Sequence, residues 1–196
     1  MIFDNPYNHL IKDNFLSTET CKYLKNKDLK QMADTSNNVL NNPNASKKRL
    51  ITKVIIKNEV NSKLDDKHKD FYKSLFIDLK KQFDDNFFKS LTLNQKLKSE
   101  GTYNILHTWD EPGFFMKPHV DTERKIWTGI IYLFGDGKSR DGSTTLFGEN
   151  ETNNKDIIPN YNRFLAFKRS SLAKHAVREN LSSREILLIN FNRIES

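Results

Sequence analysis

The sequence predicts a mainly β protein with a smaller α part: an all-β barrel or jelly roll over residues 101–196, with N-terminal helices packed on its outer face. Three observations predict it. Beyond residue 101, short apolar runs at 103–109, 114–120, 126–134, 143–147, 163–167, 175–178 and 184–192 are punctuated by Gly, Asp, Asn and Pro, the signature of closely spaced strands. Before it, Val60, Leu64, Phe71, Leu75, Leu79 and Phe83 recur every three to four residues on a polar background, which marks a long amphipathic helix that needs a sheet to lie on. Third, 196 residues with 36% hydrophobic and 11% aromatic content suffice for one core and one domain, 1–196, with 1–100 as support for the barrel.

The elements follow in order. Leu10, Ile11, Phe15 and Leu16 form an opening strand, and Ser17 is an N-cap with Leu16 and Cys21 as a hydrophobic staple for a helix over about 18–29. Residues 34–49 are poor in apolar side chains and rich in turn formers, so they read as a long exposed loop, a candidate lid. The β-branched run 50–57 is a strand, and the helix over 60–83 comes next.

Composition excludes several chemistries. One cysteine, Cys21, rules out an internal disulfide and a cysteine-based zinc site, so a metal must be held by His, Asp or Glu. No Gly-x-Ser-x-Gly elbow or phosphate loop is present. No run approaches the roughly 20 apolar residues of a membrane span, and the start lacks signal-peptide order, so a cytoplasmic address is expected. The net charge of +7 comes from dispersed lysines, as AT-rich coding would also produce, and does not cluster with aromatics as a nucleic-acid surface requires.

Five histidines are present, of which His9 and His68 read as structural. His119 differs: Asp121 lies two residues on, and a period of two turns both side chains to one face of a strand. His175 opens a later strand, and two histidines with one carboxylate compose the facial triad of non-haem Fe(II) oxygenases. A chance His-x-Asp is expected roughly 0.4 times in such a chain, so the tripeptide needs company. Arg184, nine residues after His175, offers a permanently charged fork for a co-substrate carboxylate; a surface ion pair with Glu185 or Glu179 is the structural alternative.

These residues resemble the Fe(II)/2-oxoglutarate dioxygenase superfamily, and within it the prolyl 4-hydroxylase-like branch, bacterial or phage type. Gly113-Phe114-Phe115-Met116-Lys117-Pro118-His119-Val120-Asp121 is similar to that branch's approach to the metal, with Met116 in place of the usual Tyr. Trp127-Thr128-Gly129-Ile130-Ile131-Tyr132-Leu133, Asp141-Gly142-Ser143-Thr144-Thr145-Leu146-Phe147 and His175-Ala176-Val177 resemble the motifs that follow, and the opening 6–16 resembles the start of these domains.

The resemblance implies a double-stranded β-helix in which His119, Asp121 and His175 bind Fe(II). Arg184 would hold the distal carboxylate of 2-oxoglutarate, assisted by Tyr132, with Thr128 on the same strand face. Trp109 or His107 is expected to compensate for the phenol lost at Met116. The implied reaction couples oxidative decarboxylation of 2-oxoglutarate to succinate with hydroxylation of a C–H bond by O2, with ascorbate expected from the family. The implied substrate is a proline in a peptide or protein, with Lys125, Arg124, Trp127 and Asn190 as candidate contacts at the barrel mouth; for Trp127 the odd numbering offers the alternative of an outward turn into a helix contact. A free amino acid or small metabolite is the alternative substrate. An alkylated nucleobase is disfavoured, because Arg178 follows His175 too closely for the signature of nucleobase dealkylases. The non-enzyme alternative is a cupin-like binding protein.

Overall fold

The alternation of apolar and polar residues places two different surfaces on the two sides of one sheet, and the fold follows from covering both. The computed structural model describes residues 2–25, 30, 49–83, 101–149 and 152–194. Its strands are β1 (Ile2–Phe3), β2 (His9–Lys12), β3 (Arg49–Ile56), β4 (Glu59–Val60), β5 (Gly101–Asp110), β6 (Met116–His119), β7 (Lys125–Tyr132), β8 (Thr144–Leu146), β9 (Lys155–Ile157), β10 (Arg163–Lys168), β11 (His175–Val177) and β12 (Arg184–Arg193). The helices are α1 (Thr18–Leu24) and α2 (Asp66–Gln82). An eight-stranded sheet runs β1-β2-β10-β7-β12-β5-β3-β4 and a four-stranded sheet runs β6-β11-β8-β9. Two facing antiparallel sheets of this order make the jelly roll the sequence predicts.

Register assigns the faces. On β12 the odd residues Leu187, Ile189 and Phe191 join Tyr103, Ile105 and Trp127 in a core closed by Leu75, Phe76, Leu79 and Phe83. The even residues turn inward, where Ile130, Tyr132, Leu146, Ile157, Leu165, Phe167 and Ile186 line the space between the sheets. The large core is aromatic: Phe83 meets Trp127 edge-on at 5.1 Å and lies parallel to Tyr103 at 5.7 Å.

The helices form where their caps are. Ser17 accepts the Thr20 N–H and Asp65 accepts the His68 N–H, so each first turn has a side-chain partner. α2 buries Tyr72, Leu75, Phe76 and Leu79 on one stripe, each worth about 1.5–3 kcal/mol before the entropy of ordering is subtracted. Its start differs from the expected 60: Glu59 and Val60 instead return as β4 against Ile55 and Ile56, through a turn in which Lys57 (φ 49°) and Asn58 (φ 72°) are left-handed. α1 ends at Leu24, and residues 26–29 lie outside the described residues.

The seven expected strands all form, with their ends shifted by a few residues; β1, β4 and β9 carry too few residues to have been read from pattern. The 34–48 stretch, read as a lid, also lies outside the described residues. Arg49, assigned to that loop, begins β3 and is buried. Among the described residues no helix is long and apolar enough to cross a membrane.

Candidate active site

β6 and β11 are neighbours in the smaller sheet, and their register sets His175 directly across from His119. Asp121 follows two residues later, and one potential ligand atom from each of His119, Asp121 and His175 lies within 4.8 Å of the others. Both imidazoles are oriented by the backbone. His119 Nδ1 is 2.8 Å from the Lys117 carbonyl and His175 Nδ1 is 3.1 Å from the Ala173 carbonyl. A carbonyl only accepts, so each Nδ1 donates and each Nε2 keeps its lone pair for an ion.

Asp121 is buried, and both of its oxygens are held. Lys125 Nζ donates to Oδ1 at 2.6 Å and Thr128 Oγ1 donates to Oδ2 at 2.6 Å. Burial pushes its pKa up, but Lys125, His175 and the hydrogen bonds overrule it and hold the carboxyl below its usual value. Burial drives His175 down to about 4, with Asp121 opposing and His119 assisting. Near neutral pH the cluster therefore offers an anionic oxygen and a neutral His175 imidazole, which is the form a metal needs.

A second polar cluster lies at the other end of the same face. Arg184 pairs across β12–β5 with Asp110, and Asp110 pairs across β5–β3 with Arg49. Arg49 Nε donates to Asp110 Oδ1 at 2.5 Å and its Nη2 to Oδ2 at 2.8 Å, while Arg184 Nη1 donates to Oδ2 at 2.6 Å. Arg184 is 1% exposed; its Nε donates to the Gly142 carbonyl at 3.2 Å, and its Nη2 is buried with no partner among the described residues. Burial raises the Asp110 pKa and the two guanidinium groups outweigh it, so Asp110 stays ionised. Beside Arg184, Tyr132 donates to Thr144 Oγ1 at 2.6 Å. Ile130, Leu146 and Ile186 belong to the apolar lining of this interior.

The sequence-predicted residues separate by face. Thr128 and Tyr132 lie on the inner side of β7, Thr128 on the Asp121 carboxylate and Tyr132 near the Arg184 guanidinium. Asn190 is the cross-strand partner of Thr128, and its Oδ1 is buried without a hydrogen-bond partner among the described residues. Lys125 is committed to Asp121, and Arg124 is exposed in the turn immediately before β7. Trp127 is not a substrate contact but takes the outward alternative: it is fully buried among Phe83, Tyr103 and Phe191, because from Trp127 onward the odd positions of β7 face the helices, while an irregularity in register before it leaves Lys125 on Asp121.

Trp109 and His107 are likewise turned away from the interior. They stack on each other at 4.1 Å, and His107 is held between Tyr72 Oη at 2.8 Å and Glu185 Oε1 at 2.7 Å. It is Arg49 that comes to Met116, its Nη1 3.9 Å from Sδ, with its guanidinium over the Phe114 ring at 4.2 Å. The surface pairing considered for Arg184 does not form, since Glu185 points to the other face and meets His107. Arg49, Asp110 and Thr144 were missed. A lone acid closing an apolar strand was the available signal for Asp110; Arg49 was hidden at the end of a Lys-Lys-Arg run.

A jelly roll with two imidazoles and one carboxylate converging inside it defines a class, the non-haem iron-type oxygenase barrel. Residues 103–192 match the family model described as the 2OG-Fe(II) oxygenase superfamily. No curated protein matches the sequence. Among solved structures, the chain is similar to a Pseudomonas putida prolyl-4-hydroxylase, at 14% identity and a TM-score of 0.67 over 95% of this chain and 93% of that one. A Trichoplax adhaerens prolyl hydroxylase, in complex with a hypoxia inducible factor oxygen degradation domain peptide fragment, matches at 17% identity and TM-score 0.65 over 94% and 83%. A viral collagen prolyl hydroxylase from Paramecium Bursaria Chlorella virus-1, in a 2OG complex, matches at 14% and 0.59 over 95% and 96%. At these identities the likeness establishes the shared fold.

Proposed function

We propose that the chain, taken as one oxygenase domain over 1–196, is an Fe(II)- and 2-oxoglutarate-dependent prolyl 4-hydroxylase acting on proline in a peptide or protein. The reading rests on one observation: the His119, Asp121 and His175 ligand atoms converge within 4.8 Å inside the barrel whose wall carries Arg184, with a buried Nη2 that has no hydrogen-bond partner among the described residues. An unpaired guanidinium nitrogen in an apolar wall is costly unless an anion completes it.

In this reading His119, Asp121 and His175 hold Fe(II). Arg184 binds the distal carboxylate of 2-oxoglutarate, and Tyr132 and Thr144, already hydrogen-bonded to each other, close the same pocket. Thr128 acts on the metal side by fixing the Asp121 carboxylate. The bound metal supplies O2 activation, coupled to oxidation of 2-oxoglutarate to succinate. The chain supplies position and dryness: Ile130, Leu146 and Ile186 exclude water, and the backbone carbonyls of Lys117 and Ala173 keep both Nε2 atoms aimed at one point. Asn190 and Arg124 are the substrate contacts retained from the sequence, and Lys125 acts through Asp121. Peptide specificity draws support from the prolyl hydroxylases that share the fold. Ascorbate dependence and a cytoplasmic address belong to the same proposal.

The experiment is succinate formation from 2-oxoglutarate with Fe(II) and ascorbate across a panel of proline-containing peptides, with mass spectrometry for a gain of about 16 Da, the one oxygen atom that hydroxylation adds. A gain localised to proline establishes the reading. Turnover without peptide modification moves the substrate to a free amino acid, a small metabolite or an alkylated base, and absence of both turnover and Fe(II) binding leaves a cupin-like binding protein.

A further inference from the structure

We propose that Arg49 is a positioning residue for the co-substrate: by neutralising Asp110 it leaves Arg184 free to bind an anionic carboxylate. The inference rests on the oxygenase reading above and deepens it. Asp110 is buried, and its two oxygens accept from two guanidinium groups, both Nε and Nη2 of Arg49 and Nη1 of Arg184. A carboxylate facing Arg184 alone would satisfy it as a closed ion pair, and an incoming carboxylate would then meet a neutral, already paired partner. With Arg49 present, two positive charges face one negative charge, and the buried cluster carries one net positive charge. Among the described residues, Asp110 is the acid in ion-pair contact with either arginine.

The unspent charge has an outlet. Among the described residues Arg184 Nη2 is left without a partner, whereas Arg49 spends its Nε and Nη2 on Asp110 and rests its Nη1 against the soft Met116 sulfur. The distal carboxylate of 2-oxoglutarate carries one negative charge and so balances the cluster. Arg49 is locked in place to do this: it is 6% exposed, begins β3 in register with Asp110, and lies over the Phe114 ring. A tyrosine at position 116 would compete with it for the same space, which gives the departure at Met116 a physical reason.

The test separates charge from structure by comparing two ligands. Binding of 2-oxoglutarate and of its 5-amide, 2-oxoglutaramate, is measured by calorimetry on the full chain loaded with Mn(II), so that no turnover occurs. The wild type is expected to prefer the acid over the amide by about a hundredfold, the scale of a buried charge-assisted hydrogen bond. In Arg49→Met that preference falls to about tenfold or less with Mn(II) affinity unchanged, because Asp110 then closes on Arg184. In Arg49→Met/Asp110→Asn, which restores one net positive charge, it returns to within about threefold of wild type.

A folded Arg49→Met that keeps the wild-type preference overturns the inference. So does a double variant that does not recover, since Arg49 would then touch the ligand itself. If Arg49→Met does not fold, Asp110→Asn decides: the preference stays at or above wild type if Asp110 opposes the ligand, and a fall refutes the proposal. A wild-type chain that binds neither Mn(II) nor 2-oxoglutarate removes the oxygenase reading, and this inference with it.

Discussion

His119 on β6 and His175 on β11 oppose each other in register, their ring centroids 4.4 Å apart, and each ring is tethered through Nδ1 to the carbonyl of the residue two positions before it. The pair is thus built by strand pairing and kept in one tautomer by backbone groups. Replacing either ring removes a ligand without unlocking the sheet. His119→Ala and His175→Ala are expected to lose Mn(II) or Fe(II) binding by about a hundredfold or more while keeping a cooperative melt, measured by metal titration and calorimetry. Wild-type metal affinity in either folded variant would remove the triad.

Thr128 Oγ1 fixes the Asp121 carboxylate from the larger sheet. Thr128→Val keeps the shape of the side chain and deletes the donor, so metal affinity is expected to fall about tenfold, the usual cost of losing an outer partner of a ligand. Titration of the variant with Mn(II) checks this, and an unchanged affinity would show that Lys125 alone orients Asp121.

Gly142 stands at the other end, with φ +61°, where an added Cβ would come within 3.1 Å of Arg184 Cδ and 3.2 Å of Asn180 Cβ. Its carbonyl also accepts from Arg184 Nε. Gly142→Ala is expected to cost about 1 kcal/mol or more of stability through backbone strain. It should also weaken 2-oxoglutarate binding several-fold by displacing the guanidinium, with metal affinity retained. Chemical denaturation and ligand calorimetry on one preparation read both effects.

Tyr72 tests the opposite face. Its hydroxyl donates to His107 Nδ1 at 2.8 Å, and His107 Nε2–H in turn donates to Glu185, tying α2 to β5 and β12. Tyr72→Phe leaves a buried acceptor unpaired and is expected to cost about 1–3 kcal/mol. Metal and 2-oxoglutarate affinities stay unchanged, since the sheet separates this contact from the interior. A change in either affinity would show that the relay reaches Arg184 through β12.

The pH dependence follows from His175, whose pKa falls from 6.5 to about 4 on folding because burial disfavours its charge. Between those values the unfolded chain binds more protons than the folded one, so stability is complete above about pH 6.5 and is lost as pH falls toward 4. Burial lowers His107 and His9 as well, which adds loss in the same direction. Urea midpoints of the metal-free chain are expected to drop between pH 7 and 5, and His175→Gln should flatten part of that slope. Equal midpoints at both pH values would mean that His175 is accessible enough to protonate without unfolding.

Local pattern was enough for much that depends on neighbours in sequence, though not for the tight turn at Lys57 and Asn58 that makes Glu59 and Val60 a strand and moves the start of α2 to Asp66. The period of two put His119 and Asp121 on one face, the three-to-four spacing from Phe71 to Phe83 gave α2 its buried stripe, and Ser17 announced the start of α1. The even spacing of Thr128, Ile130 and Tyr132 likewise gave β7 one inner side, and the family motifs carried the barrel with them.

Register between distant strands decided the rest. That Thr128 faces the interior and Trp127 the helices is a choice of one residue, which the pairing of β7 with β10 and β12 fixes, and a shift by one would exchange core for site. Asp110 meets Arg49 from 61 residues away and Arg184 from 74, so no local pattern announces the cluster. Residue types alone mark which side chains have the chemistry to bind a metal and an acid. Strand pairing selects which of them share a face, because a charge in an apolar interior is stable only where a neighbouring strand brings it a partner.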